Sequence, residues 1–296
     1  MPCVLAVVLV DRACATGSAD DATPAGVSIA VQDPRGAGAK APAYAPGACQ
    51  AQEPTRASRR RTVFVDAGHG GPDPGVLSQP AGTGTGRAGV TESQATLAVA
   101  RELAHQLRAD GYRVVLSRTQ DTSVRRFAAS EVTDGALSPG QVKQDLQARV
   151  RCANESHAAA LLSIHLNGYD DASVGGSQTI YDAARPFASR SEKLARSVHA
   201  ALLHELDLDD RGVITDDALE VPTLSGRAES YGHLLLLGPA LPGWLDQGTN
   251  MPGALVEPLF LTAPREAGIA STAAGQRRIA TAIAGGLRSY LTASPQ

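Results

Sequence analysis

Short apolar segments alternate with longer amphipathic segments from residue 62 to the C-terminus, and this alternation constrains the fold more than any other feature of the chain. The apolar segments predict buried strands over 62–66, 112–117, 159–165, 176–181 and 253–257. The amphipathic segments predict helices over 92–109, 141–156, 189–206 and 275–291. Strands that alternate with helices form mostly parallel sheets. The sequence therefore predicts a single α/β domain, with a twisted, mostly parallel sheet of about six strands and helices on both faces.

The N-terminus carries the features of an export signal. Residues 4–10 read VLAVVLV, and a stretch of small residues follows them. This run has the length of a signal-peptide core and is far shorter than the ~20 apolar residues that cross a membrane. We expect an export signal over 1–18 and a secreted or cell-envelope location, the alternative being an apolar tail without a targeting role. A lipid anchor at Cys14 is less expected, because residues 11–13 match that signal poorly.

Three further segments lack a clear pattern. Residues 19–61 are rich in Ala, Gly, Pro and Asp without apolar periodicity, which predicts a flexible linker before a domain over 62–296. Residues 122–140 are interpreted as an inserted polar loop, and residues 207–250 give no assignable element.

Cysteine usage fits an exported protein. Of the four cysteines, Cys49 and Cys152 are the two that remain once residues 1–18 are removed. In an oxidising compartment two such thiols can pair, so we hypothesise a Cys49–Cys152 disulfide. The alternative is a buried free thiol at Cys152, and no cysteine spacing fits a zinc finger.

The charge pattern excludes nucleic acid as the expected partner. The net charge is -3, and the only concentrated basic run is residues 59–61. A nucleic-acid interface needs a concentrated basic face, whereas this short run is interpreted as the solvated end of a linker.

Polar side chains stand at the ends of three predicted strands. His69 lies in the turn DAGHGG, His165 ends the segment LLSIH, and Glu257 ends GALVE. Glu92 opens the first predicted helix. In open α/β sheets, sites gather at the carboxyl ends of strands, so these side chains can converge. Two imidazoles and a carboxylate are a standard catalytic zinc set, and a further carboxylate near the ion would take a proton from water.

Each of these four residues also has a structural interpretation. His69 could fill a tight glycine turn, and His165 could be a hydrogen-bonded core histidine. Glu92 could be a first-turn carboxylate favoured by the helix dipole, and Glu257 could be a salt-bridge partner. The presence of all four together favours the metal centre.

The motifs VFVDAGHGG, the helix-opening Glu92, RVRCAN followed by LLSIHLN, and ALVEPLF resemble the zinc-dependent N-acetylmuramoyl-L-alanine amidases of the amidase-3 type. The resemblance spans about residues 62–291. It implies that His69, Glu92 and His165 bind one Zn²⁺ per chain and that Glu257 is the catalytic carboxylate. It further implies a hydrolase that cuts the amide bond between N-acetylmuramic acid and L-alanine in peptidoglycan. The short apolar run at the N-terminus adds the expectation of a secreted chain with no integral membrane span.

Two other functions are compatible with the same residues. One is a zinc peptidase acting within the stem peptide, and the other is a catalytically inactive peptidoglycan-binding module. The chain departs from the family pattern at Ala67, where proline is usual, in a long 69–92 loop, and at Thr262-Ala263, where Ser-Asn is usual. The sequence leaves open whether residues 207–250 cover the site and so require an activating partner.

Several other polar residues receive supporting roles. Matching scaffold positions of the family are Arg118, Arg149, Asn154 and Asn167. Asp66 is expected to brace the turn or a ligand histidine. The histidines expected at the surface of predicted helices are His105, His199 and His204. His157 has no assigned role, and substrate contact is one interpretation of His233.

Overall fold

A seven-stranded sheet runs through the part of the chain that the computed structural model describes, which is residues 43–78, 89–219 and 231–293. The strands are β1 (Ala48–Gln52), β2 (Thr62–Ala67), β3 (Arg113–Arg118), β4 (Ala160–Ile164), β5 (Ser177–Tyr181), β6 (Asp210–Thr215) and β7 (Gly253–Glu257). The helices are α1 (Glu92–Ala109), α2 (Pro139–Ser156), α3 (Ala188–Leu206), α4 (Pro264–Ala270) and α5 (Ala273–Ala293). None of these helices is both long and apolar enough to cross a membrane.

The sheet is mixed, with a parallel centre. Its strand order is β1-β3-β2-β4-β7-β5-β6. The four strands from β3 to β7 run parallel, whereas β1 is antiparallel to β3 and β5 is antiparallel to β7. The predicted α/β class with a mostly parallel sheet is confirmed. Because β2, β4 and β7 are parallel neighbours, their carboxyl ends meet at one edge, as a shared site requires.

Helices cover both faces of the sheet, as predicted. Alternate residues of β2 point to opposite sides, so Val63 and Val65 pack on the face that carries α1, α3 and α5, while Phe64 packs on the other face. Residues Val150 and Ala153 of α2 join Phe64 in that second cluster. Every strand of the parallel centre is therefore buried on both sides, which explains its continuous apolar sequence.

The linker prediction is wrong for residues 43–61. Residues of β1 pair with the edge strand β3, and Cys49 forms a disulfide with Cys152 of α2. The segment ACQAQ has no apolar run, because an edge strand held by pairing and a covalent bond needs few buried side chains. The hypothesised disulfide is present. Residues 1–42, which include the expected export signal, lie outside the described residues.

The unassigned stretch 207–250 contains a strand, β6, that the sequence did not predict. Its segment DRGVIT includes a glycine and charges, and it is exposed or half-buried throughout. Edge strands of this kind give no apolar pattern to detect. The start of α2 also lies two residues earlier than predicted, because Ser138 caps the helix and Pro139 occupies its first turn.

The surface prediction for His199 is wrong. This histidine is buried between α3 and the sheet, where its Nδ1 lies 3.2 Å from Thr179 Oγ1 and its Nε2 lies 2.8 Å from Asp210 Oδ1. Both partners come from β5 and β6, and β6 was not predicted. His105 and His204 are exposed, as expected.

Loss of the disulfide is expected to destabilise the domain. Replacing both cysteines (Cys49→Ser with Cys152→Ser) should lower the free energy of unfolding by about 2–5 kcal/mol, because the bond closes a loop of 103 residues. Urea unfolding followed by the fluorescence of Trp244, the single tryptophan, measures this change. A reductant should shift the wild-type midpoint equally and leave the double variant unchanged. An unshifted wild-type midpoint would contradict a stabilising bond.

Candidate metal centre

Three predicted site residues meet at the carboxyl edge of the parallel strands. His69 follows β2, His165 follows β4, and Glu92 opens α1. His69 Nε2 lies 3.1 Å from Glu92 Oε2, and His165 Nδ1 lies 3.0 Å from Glu92 Oε1. The candidate ligand atoms of the three residues all lie within 4.8 Å of one another. The three groups can therefore surround a single ion.

Two buried arginines hold the turn that carries His69. Arg149 donates to the carbonyls of Ala67 (2.7 Å) and His69 (2.6 Å), and Arg118 donates to the carbonyl of Gly68 (2.9 Å). The turn needs such support because His69 itself adopts a left-handed backbone conformation, with φ 57°. The scaffold role predicted for both arginines is confirmed.

Asp66 braces this turn through Arg149. Its carboxylate accepts from Arg149 (2.7 Å) and from the Ser163 hydroxyl (2.7 Å), and it is 1% exposed. Burial alone would raise the pKa of Asp66, but the charge of Arg149 lowers it. Asp145 lies on the other side of the Arg149 guanidinium. The charges of Asp66 and Asp145 together overcome the effect of burial and raise the pKa of Arg149. Asp66 thus supports the turn and lies outside the ligand set, as predicted.

Glu92 is fixed as an anion between the two histidines. A capping box between Thr91 and Gln94 starts α1 one residue before it. The backbone N–H groups of Val76 and Leu166 each donate to the Glu92 carboxylate at 2.9 Å. Burial alone would raise the pKa of Glu92, but His69 and His165 lower it. Glu92 is 2% exposed and contacts both histidines, so the helix dipole is not its only electrostatic partner.

Two glycines make room for this arrangement. A Cβ at Gly68 would lie 2.6 Å from His165 Nε2, and a Cβ at Gly75 would lie 2.5 Å from Glu92 Oε2. Gly75 also has φ +64°, which disfavours a side chain further. Glycine is needed at these two positions because the His165 ring and the Glu92 carboxylate approach the backbone too closely for a side chain.

Asp73 is a site residue that the sequence reasoning missed. Its Oδ2 lies 2.9 Å from His69 Nδ1, an arrangement that leaves Nε2 for the candidate ligand group with Glu92 and His165. Burial alone would lower the pKa of His69, but Glu92 and Asp73 raise it well above its ordinary value. Asp73 lies in an irregular loop, and its only sequence signal is its position four residues after His69. A carboxylate that orients a ligand histidine is common in metal centres.

Glu257 lies at the end of β7, next to β4, in the same region. It is 5% exposed, and its Oε2 has no hydrogen-bond partner among the described residues. Burial raises its pKa well above the ordinary value, the charge of Glu92 adds to this rise, and His69 opposes it. An orphaned buried carboxylate near two imidazoles and an acid fits a bound cation. Since two imidazoles and a carboxylate are zinc ligands, the residues present suit zinc.

The remaining predicted residues make their contacts with other parts of the chain. Asn154 donates to the Gly248 carbonyl and accepts from the Asn250 N–H, so it is a scaffold residue. Asn167 accepts from the neighbouring Gly168 N–H. His233 lies beyond the carboxyl end of β5, which is the opposite edge of the sheet, so the structure does not support a contact with substrate at the metal centre. Residues 220–230 of the unassigned stretch lie outside the described residues.

Comparison with known proteins agrees with this geometry. The sequence model of the N-acetylmuramoyl-L-alanine amidase family Amidase_3 matches residues 63–289. The chain belongs to this amidase family. The amidase is 27% identical over 232 residues to the germination-specific N-acetylmuramoyl-L-alanine amidase of Bacillus subtilis (strain 168), which covers 78% of this chain and 80% of the relative.

Solved structures share the fold of this amidase. The structure of the CwlD amidase from Clostridioides difficile in complex with the GerS lipoprotein matches with a TM-score of 0.60 and 25% identity, covering 79% of this chain and 100% of that one. An N-acetylmuramoyl-L-alanine amidase from Clostridium difficile 630 matches with a TM-score of 0.56 and 28% identity, covering 80% and 100%.

Asp73 is expected to increase the affinity of the amidase for zinc. The variant Asp73→Asn should weaken zinc binding by about 10–100-fold, because Nδ1 of His69 loses its carboxylate partner. Competition with a chromophoric chelator measures the dissociation constant. Asp170→Asn, which changes an exposed carboxylate after β4, is the matched control and should bind zinc as the wild type does. Equal affinities for all three proteins would contradict the role of Asp73.

Proposed function

We propose that this chain is a zinc-dependent hydrolase that cuts the amide bond between N-acetylmuramic acid and the L-alanine of the peptidoglycan stem peptide. The observation that carries the proposal is the convergence of His69, Glu92 and His165 in a chain of the N-acetylmuramoyl-L-alanine amidase family. Their three ligand atoms leave room for a fourth position on a tetrahedral ion, as catalytic zinc sites do.

His69, Glu92 and His165 would hold one zinc ion per chain. His69 offers Nε2, since Asp73 engages its Nδ1, and His165 offers Nδ1 on the side of Glu92. Bound zinc supplies a Lewis acid that polarises the scissile carbonyl and activates water near neutral pH. The high pKa of His69 means that its proton must leave when the ion binds, so zinc affinity should fall at low pH.

Glu257 is the proposed general acid and base. Its carboxylate would accept a proton from the attacking water and then deliver it to the departing nitrogen of L-alanine. A group with this task needs a pKa close to the working pH. Burial and the charge of Glu92 raise the pKa of Glu257, whereas a cation in the site would lower it again. The absence of a fixed hydrogen-bond partner on Oε2 among the described residues leaves that oxygen free for water.

Glu257→Gln should abolish turnover while leaving zinc in place. The amide keeps the shape of the side chain but cannot take up the proton, so we expect a loss of about 100- to 10,000-fold in kcat. Zinc content and the release of stem peptide are measured on the same preparation. Glu192→Gln, at a half-exposed site on α3, is the control and should keep wild-type turnover. Wild-type turnover in Glu257→Gln would refute the assignment.

Digestion of purified peptidoglycan tests the reaction itself. The expected product is a free stem peptide with an N-terminal L-alanine, identified by mass analysis. A chelator should stop its release and added zinc should restore it. Fragments cut within the stem would instead indicate a zinc peptidase. Binding without cleavage would indicate an inactive peptidoglycan-binding module.

A peptidoglycan substrate also bears on location and partners. We propose that the chain is secreted or associated with the cell envelope, which the disulfide supports because such bonds persist in oxidising compartments. The related CwlD amidase was solved in complex with a lipoprotein. Activity of the isolated chain on peptidoglycan would show that it needs no activating partner.

A further inference from the structure

A second group of potential metal-binding side chains lies at the opposite end of the strands from His69, Glu92 and His165. Asp182 directly follows β5, Asp216 directly follows β6, and His233 belongs to the described segment that begins at residue 231. Their candidate ligand atoms all lie within 4.8 Å of one another.

This cluster is separate from the catalytic centre. β5 runs antiparallel to β7, and Gln178 near the start of β5 pairs with Glu257 at the end of β7. Asp182, which follows the last residue of β5, therefore lies at the far end of that strand from Glu257. The remaining length of β5 separates the two sites by roughly 13 Å at ~3.3 Å per residue. One ion cannot serve both groups.

Both carboxylates are buried and held in place. Asp182 and Asp216 are each 1% exposed. The backbone N–H of Ala184 donates to Asp182 Oδ1 at 2.6 Å, and the N–H of Leu234 donates to Asp216 Oδ2 at 2.9 Å. These bonds orient the two carboxylates, as outer hydrogen bonds do for the ligands of metal sites.

Two further atoms in the cluster lack a hydrogen-bond partner. Asp182 Oδ2 and His233 Nδ1 lie 2.9 Å apart, yet the contact does not have the alignment of a hydrogen bond, and neither atom bonds to any other described residue. Asp216 Oδ2 lies 3.6 Å from the same nitrogen. A buried carboxylate oxygen and an imidazole nitrogen this close to each other need either a proton on the imidazole or a metal ion between them.

The charges around the cluster also favour a cation. Asp182 and Asp216 place two carboxyl groups side by side in this cluster. The neighbouring cation is Arg185, whose guanidinium donates to the carbonyls of Gly238 and Thr249 instead of to either carboxylate. Tyr231 packs its ring against that of His233 at 5.4 Å.

We propose that Asp182, Asp216 and His233 form a second metal site that binds zinc and stabilises the fold. A mixed set of two carboxylates and one imidazole suits zinc, whereas calcium and magnesium prefer oxygen ligands alone. The side chain of His233 is 24% exposed, which gives an ion access from solvent.

The expected role of this second site is structural. The ion would tie the ends of β5 and β6 to the segment from residue 231, whose Tyr231 and Leu235 lie in the hydrophobic cluster beneath α2. A ligand that binds only the folded chain stabilises it in proportion to its affinity, so zinc should raise the melting temperature through this site.

Metal content of four full-length proteins tests the proposal independently of the amidase reaction. The proteins are the wild type, His165→Ala, Asp216→Asn and the variant with both changes, each dialysed against zinc and analysed by mass spectrometry of the metal. We expect about two zinc ions in the wild type, one in each single variant and none in the double variant. Asp216→Asn should keep amidase activity, whereas His165→Ala should lose it.

Two outcomes would overturn the second site. In the first, His165→Ala holds no zinc, which would identify the cluster as a buried ion pair. In the second, Asp216→Asn holds as much zinc as the wild type. A third outcome would leave the second site intact and contradict only the zinc site at His69, Glu92 and His165. In it, the wild type and His165→Ala each hold one zinc ion, and the double variant holds none.

A second variant distinguishes loss of the metal site from misfolding of the chain. His233→Gln changes a partly exposed side chain, and circular dichroism together with Trp244 fluorescence reports whether each variant is folded. In the His165→Ala background, zinc should raise the melting temperature, and adding His233→Gln should remove this shift. A zinc-induced shift that survives both changes would contradict the proposal.

Discussion

The contact of Glu92 with two histidines is the interaction on which the site depends. One buried carboxylate receives two backbone N–H groups and lies within 3.1 Å of His69 and 3.0 Å of His165. Such a group is stable only if positive charge stays beside it. That charge is available from His69, whose pKa is raised well above its ordinary value, and a divalent ion can supply it instead. The same geometry therefore serves folding and metal binding.

The surrounding fold can be understood as support for this contact. Parallel β2 and β4 bring His69 and His165 to one edge, and the capping box of α1 delivers Glu92 there. Buried Arg118 and Arg149 then fix the carbonyls of the turn after β2. Because these arginines bind backbone atoms, they hold the path of the chain without occupying the ligand positions.

The sequence predicted the buried centre of the fold well and its margins poorly. Continuous apolar runs identified β2, β4 and β7, because strands covered on both faces must be apolar throughout. Edge strands β1 and β6 are stabilised by pairing on one side, and their segments carry glutamine, aspartate and glycine. The linker prediction failed over 43–61 for this reason.

The candidate site was predictable in part. His69, Glu92, His165 and Glu257 stand out because they end strands or begin a helix, where periodicity reveals them. Asp73 lies in an irregular loop, so its contact with His69 depends on a backbone path that no pattern encodes. The Asp182, Asp216 and His233 cluster was hidden in the same way, since one of its members follows a strand that was not predicted. Burial of His199 was missed because its partners lie on β5 and β6.

Diffraction from zinc-soaked crystals, recorded on both sides of the zinc absorption edge, tests the central claim most directly. Anomalous difference density should show an ion bonded to His69 Nε2, His165 Nδ1 and the Glu92 carboxylate, at distances of about 2.0–2.2 Å. Absence of zinc density among these three side chains, with their mutual contacts unchanged, would contradict the account.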